Sequence, residues 1–366
     1  MIEKVLKAYG LDDIKCDVKP FGNGLINKTW KVSSSDAQYI LQKVNTKVFR
    51  FPERIAENTL MLKNYLDSVA PQYLFIAPLR TITGDVILED GESVYRLFPF
   101  IADSYTIDTV TEADQAYHAA KQFGKFSRVL EAFNPDGLNV TIPDFHNLTL
   151  RTAQFFEALK NASQQRLKTA DWAIDVVKKC LWIAKRFDEL IAGNGLKTRV
   201  IHHDTKINNV LLNINNGFGI GVIDLDTVMP GYFISDVGDM MRTYLSPVNE
   251  EETSFDKITV RSDIFLAIYK GYMEEMHRSL TNTEKGLFIY SGQFMIYMQA
   301  LRFLTDYLNG DIYYPVAHAE HNLMRAKNQL VLLMEYTKSS ANFEKIIKNY
   351  ELSATLTLPK GEGAAF

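Results

Sequence analysis

The sequence predicts an α+β protein of two lobes, β-rich over residues 1–100 and mostly helical over 105–366, with a hinge at about 96–104. Three observations predict it. Short alternating runs of β-branched and aromatic residues, separated by turn signals, fill the first hundred positions. Helical spacing of apolar residues dominates after Ala102-Asp103-Ser104. A brief return to short strands between about 198 and 226 interrupts those helices. At 366 residues the chain is long enough for two cores with a cleft between them.

In the first lobe, strands are expected at 15–23, 27–34 and 37–45, with turns at Gly22-Asn23-Gly24 and Ser33-Ser34-Ser35-Asp36. Pro52 opens a helix that runs to Val69, because Ile55, Leu62 and Leu66 recur at helical spacing. Strands return at 75–81, 86–90 and 93–100, with Gly84-Asp85 and Asp90-Gly91 as turns. In the second lobe the spacing predicts helices near 111–130, 148–163, 170–192, 262–278, 283–308 and 318–338. Strands are expected around 198–203, 210–215 and 219–226.

Composition narrows the function classes. Hydrophobic residues make up 46% and charged residues 23%, with a net charge of −4, so neither nucleic acid nor an anionic membrane is an expected partner. The most apolar stretch, Gly286 to Leu304, is interrupted by Ser291, Gln293, Gln299 and Arg302 and reads as a buried helix instead of a membrane span. Cys16 and Cys180 form no CxxC pair, and Met1 to Leu6 lacks the apolar run of a signal peptide. A cytoplasmic protein is expected.

The chemistry concentrates in two segments. His202-His203-Asp204-Thr205-Lys206-Ile207-Asn208-Asn209 has the form H-x-D-x-x-x-x-N, and Asp224 ends a strand fifteen positions beyond Asn209. Phosphoryl transfer needs one carboxylate to orient the attacking hydroxyl and accept its proton, and oxygen ligands to hold Mg²⁺ against a triphosphate. Asp204 suits the first task; Asn209 and Asp224 suit the second. A hairpin between them would bring all three to one point. A metal cluster of His202, His203 and Asp204 is the competing reading, but adjacent histidines on a strand point to opposite faces. Lys206, two residues after Asp204, sits where a lysine in many kinases touches the transferring phosphate, and a solvated loop lysine is the alternative.

In the first lobe, Phe21-Gly22-Asn23-Gly24-Leu25-Ile26-Asn27 lies between two expected strands, and its glycines let backbone fold over phosphates. Gly22, Gly24 and Asn27 are therefore candidate ATP contacts. Lys43 on the next strand is the expected phosphate-binding cation, with Glu57 on the following helix as its partner. A shift of one residue would put Gln42 in that place instead. Phe98, in Arg96-Leu97-Phe98-Pro99-Phe100, is expected to cover adenine at the hinge.

The catalytic pair resembles the catalytic loop and metal-binding segment of aminoglycoside phosphotransferases and their choline-kinase relatives. Met229 to Asp239 resembles the G-x-x-x-x-D segment that follows. The resemblance implies a two-lobed protein-kinase-like fold, with ATP and Mg²⁺ as cofactors. Ala300 to Tyr313, His321 to Arg325, Ile142 to His146 and Asp224 to Gly231 are similar to bacterial N-acetylhexosamine 1-kinases, which implies transfer to the anomeric oxygen of GlcNAc or GalNAc. Within that resemblance Arg302 and Tyr313 match sugar-contacting positions, and His203 is a further candidate sugar contact. An ion pair between Arg302 and Asp306 is the structural alternative. Kinases of the same fold acting on choline, aminoglycosides or methylthioribose are alternative readings, and a silent ligand-binding pseudokinase is a third. The presence of Asp204, Asn209 and Asp224 speaks against the last.

Overall fold

Alternation along the first hundred residues becomes an antiparallel sheet in the computed structural model, which describes residues 2–11, 16–22 and 26–356, with side chains to 353. After helix α1 (Ile2–Ala8) come β1 (Asp17–Pro20), β2 (Lys28–Ser33), β3 (Gln38–Val44), helix α2 (Pro52–Val69), β4 (Leu88–Asp90) and β5 (Ser93–Pro99). The strands lie in the order β1-β2-β3-β5-β4. On one face Val32, Leu41, Tyr95 and Leu97 pack with Val5 and Leu6 of α1. On the other, Val44 and Val94 pack with Ile55 of α2. Register and the two-residue pleat then decide where the polar residues go: Gln42 and Arg96 are cross-strand partners on the α2 face, whereas Lys43 and Tyr95 are partners on the α1 face.

The strand expected at 75–81 does not join the ladder. Pro78 has no N–H to give, and the segment is tied to β5 through Leu79 N to Leu97 O at 2.6 Å.

Beyond β5, β6 (Ser104–Tyr105) belongs to the second lobe's sheet, because it pairs with β8 (Val210–Asn213), which pairs with β9 (Gly219–Val222). Around them lie α3 (Ala113–Val129), α4 (Leu148–Asn161), α5 (Gln164–Thr169), α6 (Asp171–Lys179) and α7 (Trp182–Ala192). A two-stranded ribbon joins β7 (Arg199–Ile201) to β10 (Met229–Gly231). Then follow α8 (Phe233–Tyr244), α9 (Ser262–Met276), α10 (Asn282–Lys285), α11 (Phe288–Leu308) and α12 (His321–Leu356). The helix expected over 170–192 is broken at Cys180-Leu181, and the last helix runs well past 338. Among the described residues no helix is long and apolar enough to cross a membrane.

Helix α8 was not anticipated, and it carries the site from below. It lies against α11 at close range: a Cβ on Gly238 would collide with the Ser291 carbonyl oxygen and come within 2.7 Å of Met295 Cβ. Gly238→Ala is therefore expected to destabilise the protein by about 1–3 kcal/mol through overpacking. Urea denaturation checks this, and an unchanged midpoint would contradict the close packing.

Candidate active site

The hairpin expected from the sequence forms. Val210 pairs with Val222, and Ile223 N donates to Asn209 O at 2.9 Å, so the loop before β8 meets the end of β9. Asp204, Asn209 and Asp224 are thereby gathered at one end of the hairpin. Asn209 is buried and donates its Nδ2 to Asp204 O at 2.9 Å, which leaves its Oδ1 as the atom available to a cation. Lys206 Nζ lies 3.1 Å from Asp204 Oδ1. Asp224 has left-handed backbone, φ 61° and ψ 61°, a costly conformation for a non-glycine residue that the surrounding loop must hold.

The loop from His202 to Asn209 hangs on α8. Asp236 accepts from His202 N at 3.1 Å and His203 N at 2.8 Å, and Asp239 accepts from Thr205 N at 2.9 Å. Thr205 Oγ1 donates to Asp236 O, and Tyr244 Oη donates to Thr205 O, both at 2.7 Å. The two histidines diverge, although His203 has left-handed backbone at φ 65°. The His202 ring bonds Ile223 O at 3.0 Å, and His203 Nδ1 bonds Thr227 O at 3.1 Å. They do not form a metal cluster. Gly231 makes room for His203, since a Cβ there would collide with its Nε2.

The charges fit a cation-binding floor. The cleft leaves the Asp224 side chain open to solvent. Even so, the bulk of protein around it, and then the carboxylates of Asp226 and Asp204, push its pKa up to about 7. Burial alone would raise Asp204 too, but the Lys206 ammonium, the His202 ring and Arg242 hold it below the ordinary carboxylate value. Lys206 in turn is raised, chiefly by Asp204. Among the described residues no group of three or more His, Cys, Asp or Glu is placed to hold a metal ion. The donors present are one open carboxylate and one amide oxygen, and hard oxygen ligands of this number suit Mg²⁺, which keeps waters and phosphate oxygens as its other ligands.

The first lobe reaches the same floor by a route the sequence reading did not foresee. Asp226, two residues past Asp224, receives both terminal nitrogens of Arg96 on β5, with NH2 at 2.8 Å from Oδ2. The pair is deeply buried, with side chains only 5% and 2% exposed. Arg96 Nε donates to Gln42 Oε1 at 3.0 Å, and Asn27 Nδ2 donates to Asp226 Oδ2 at 2.9 Å. Breaking such a pair by removing one partner costs about 3–5 kcal/mol.

Two expected nucleotide contacts need correction. Lys43 lies on the α1 face with its ammonium 5.8 Å from the Tyr95 ring, so Gln42 holds the cleft-facing position on β3. Glu57 is exposed and accepts from Asn139 Nδ2 at 2.9 Å instead of pairing with Lys43. Its neighbour Asn58 is the buried residue, and its amide donates to Asn139 O at 2.8 Å and Val228 O at 3.1 Å. Asn27 is engaged at both ends, since its Oδ1 accepts from Asn45 N at 3.0 Å. Gly22 has φ +76°, which a side chain would strain, and open space where a Cβ would stand. Gly24 lies outside the described residues. Phe98, two residues from Arg96, shares its sheet face, with the guanidinium 5.1 Å from the ring.

On the far side of Asp204 a strip of rings leads into the second lobe. His203 and His146 are 5.2 Å apart, and Phe145 stacks on His146 at 4.4 Å. Arg302 follows, 5.3 Å from the Phe145 ring, 5.5 Å from Tyr314 and 6.0 Å from Tyr313. His203, itself buried, is thus linked through His146 and Phe145 to Arg302, which neighbours the exposed Tyr313. Asp306 is not the partner of Arg302: its carboxylate accepts from Ile312, Tyr313 and Tyr314 backbone N–H groups and from Asn322. Arg302 donates to Gln299 Oε1 at 3.2 Å. The acids near the strip are engaged elsewhere, Glu250 by Arg242 and Asp144 by Asn147. His146 Nδ1 is buried without a hydrogen-bond partner.

The model of the phosphotransferase enzyme family matches residues 17–260. Solved structures of similar fold include a microcompartment-associated aminopropanol kinase, with a TM-score of 0.64 and 14% identity over 92% of this chain and 97% of that one. Spectinomycin phosphotransferase, solved with ADP and spectinomycin, gives 0.59 and 14% over 92% and 97%. Choline kinase from Cryptosporidium parvum gives 0.56 and 15% over 94% and 96%. Across these pairs it is the two-lobed fold that is shared.

The buried histidines set a pH dependence. Burial lowers His146, His202 and His203, the last to about 4. A lowered folded pKa means that the unfolded chain binds protons the folded chain refuses, so stability present above pH 6.5 is lost as pH falls toward 4. Asp236, raised by burial to about 7, acts in the opposite sense, so the comparison must isolate one histidine. The stability difference between wild type and His203→Gln should move against the wild type by about 2 kcal/mol between pH 7 and pH 5. Urea unfolding at both pH values measures it, and a constant difference would show that His203 is not held neutral.

Proposed function

The chain belongs to the phosphotransferase enzyme family, and from that premise we propose that it transfers the γ-phosphoryl group of ATP to the anomeric hydroxyl of an N-acetylhexosamine, GlcNAc or GalNAc. The observation that carries the acceptor assignment is the strip of rings beside Asp204, which ends on Arg302 and has its nearby acids already engaged. A cationic amino alcohol or aminoglycoside would meet the like charge of Arg302, which already lies over these rings. A neutral sugar needs flat apolar surfaces for its ring hydrogens and fixed donors for its oxygens. Phe145, Tyr313 and Tyr314 offer the first and Arg302 the second. Free cysteines at 16 and 180 accord with a cytosolic setting.

The residues divide the work as follows. Asp204 orients the anomeric hydroxyl and takes its proton as the new O–P bond forms and the bond from γ-phosphorus to the β-phosphate oxygen breaks, releasing ADP. An anomeric hydroxyl is more acidic than an ordinary alcohol, so a carboxylate with a lowered pKa suffices as acceptor. Lys206 faces the same point and offsets charge on the moving group. Asn209 Oδ1 and Asp224 would hold Mg²⁺, which would supply charge neutralisation to the phosphate oxygens. The protein's main contribution is to hold the nucleophile in line with phosphorus.

Two outcomes test this reading. Incubated with ATP, Mg²⁺ and a mixture of GlcNAc, GalNAc, choline, kanamycin and methylthioribose, the protein should give a ³¹P signal for a glycosidic sugar phosphate. A new phosphate on any other acceptor would remove the sugar assignment. Asp204→Asn should lower kcat by roughly 10²–10⁴-fold while ATP binding, measured by calorimetry, stays within error. Full turnover in that variant would remove Asp204 from its role.

A further inference from the structure

We propose that Arg96 is the cation that meets the polyphosphate of the bound nucleotide, supplied from β5 because β3 offers none on the cleft face. The inference rests on the reading that the chain binds ATP and is independent of which acceptor it phosphorylates. On β3 the position facing the second lobe is Gln42, and Lys43 points to the α1 side. Lys31 of β2 sits across from Ile40 on the cleft face, but its ammonium lies 3.8 Å over the Phe100 ring. Arg96 is fixed between the two ends a nucleotide must span. One flank is Phe98, the residue expected over adenine, 5.1 Å from its guanidinium. The other is Asp226, in the turn that carries Asp224.

Chemistry favours a role beyond anchoring. A buried ion pair adds little to stability compared with packed apolar side chains, so its retention here calls for another use. The fork of a guanidinium fits a phosphate edge as well as it fits a carboxylate, and each terminal nitrogen carries a second N–H besides the one given to Asp226. Asp226 would keep both its share of the guanidinium and its bond from Asn27, so no charge is stranded. In the free protein the carboxylate keeps Arg96 in place; with nucleotide bound, phosphate oxygens accept the N–H groups that Asp226 leaves open.

The test measures ADP binding in EDTA without acceptor, so that metal ligation and sugar chemistry do not enter. Arg96→Met should weaken ADP binding about ten- to a hundredfold, the loss expected for a charged hydrogen-bonded contact, and AMP binding less. Asp226→Asn, which frees the guanidinium and removes a negative charge, should bind ADP as well as the wild type or better. Adding Gln42→Lys to Arg96→Met should restore part of the affinity by placing a cation on β3. If Asp226→Asn and Arg96→Met weaken ADP alike, or Arg96→Met leaves ADP binding unchanged, Arg96 is a lobe fastener only and the proposal is overturned. Should Arg96→Met fail to fold, the ¹⁵N signal of Arg96 Nε in the wild type, identified through Arg96→Lys, decides. ADP should shift it more than AMP does, and an unmoved signal overturns the proposal. Absence of sugar phosphorylation would leave each of these results as it stands.

Discussion

Two buried carboxylates fix the loop on which everything else depends. Asp236 and Asp239 stand on α8 with almost no exposed surface, and together they accept backbone N–H groups from His202, His203 and Thr205. A buried carboxylate is costly unless its lone pairs are satisfied; here loop N–H groups satisfy Asp236, and Asp239 is shared between Thr205 N and the Arg242 guanidinium. The loop could not move without stripping Asp236 of both N–H donors. It holds His203 in the left-handed region, at φ 65°, and positions Asp204 between the hairpin and the open cleft. Gly238 lets α8 approach α11 closely, and Gly231 gives the His203 ring its space, so the small residues serve the same geometry.

The second constraint joins the lobes. Asp226 draws Arg96 from the sheet and Asn27 from the base of the glycine-containing turn, while Asn58 of α2 reaches Val228 just beyond. The turn that bears Asp224 is thus held from both lobes at once. In the fold expected from the sequence, a lysine on β3 and a glutamate on the next helix would set the nucleotide end of the cleft. Here Gln42 and Asn58 occupy the inward positions, the cation comes from β5, and the carboxylate comes from the second lobe. The same electrostatic need is met from different strands.

Much of this was legible in the sequence, for physical reasons that can be named. The H-x-D-x-x-x-x-N run and Asp224 could be placed together because a hairpin has only one way to return its chain. Pro52 and the spacing of Ile55, Leu62 and Leu66 gave α2 its observed bounds. What could not be read was register and long-range pairing. Pleat alternation gives Lys43 and Gln42 opposite faces but does not say which face is inward, and α1 decided that by covering Leu41 and Tyr95. The Arg96–Asp226 pair spans 130 positions, a separation at which local pattern carries no information. Helix α8 was missed although Asp236 and Gly238 stood within a resembling segment, because a helix with buried aspartates and a central glycine contradicts propensity. The break at Cys180 leaves no mark in the pattern, since Val176, Val177, Ile183, Ala184 and Phe187 keep helical spacing across it.

The central claim is that Asp204, Asn209 and Asp224 surround one reaction point to which nucleotide and sugar both come. A crystal of the protein with Mn²⁺, a non-hydrolysable ATP analogue and GlcNAc tests it most directly, since manganese can be located by its anomalous scattering. The account predicts the metal between Asn209 Oδ1 and the Asp224 carboxylate, with the sugar's anomeric oxygen within hydrogen-bonding distance of Asp204. A metal peak away from both residues, or a sugar whose anomeric oxygen faces away from Asp204, would contradict it.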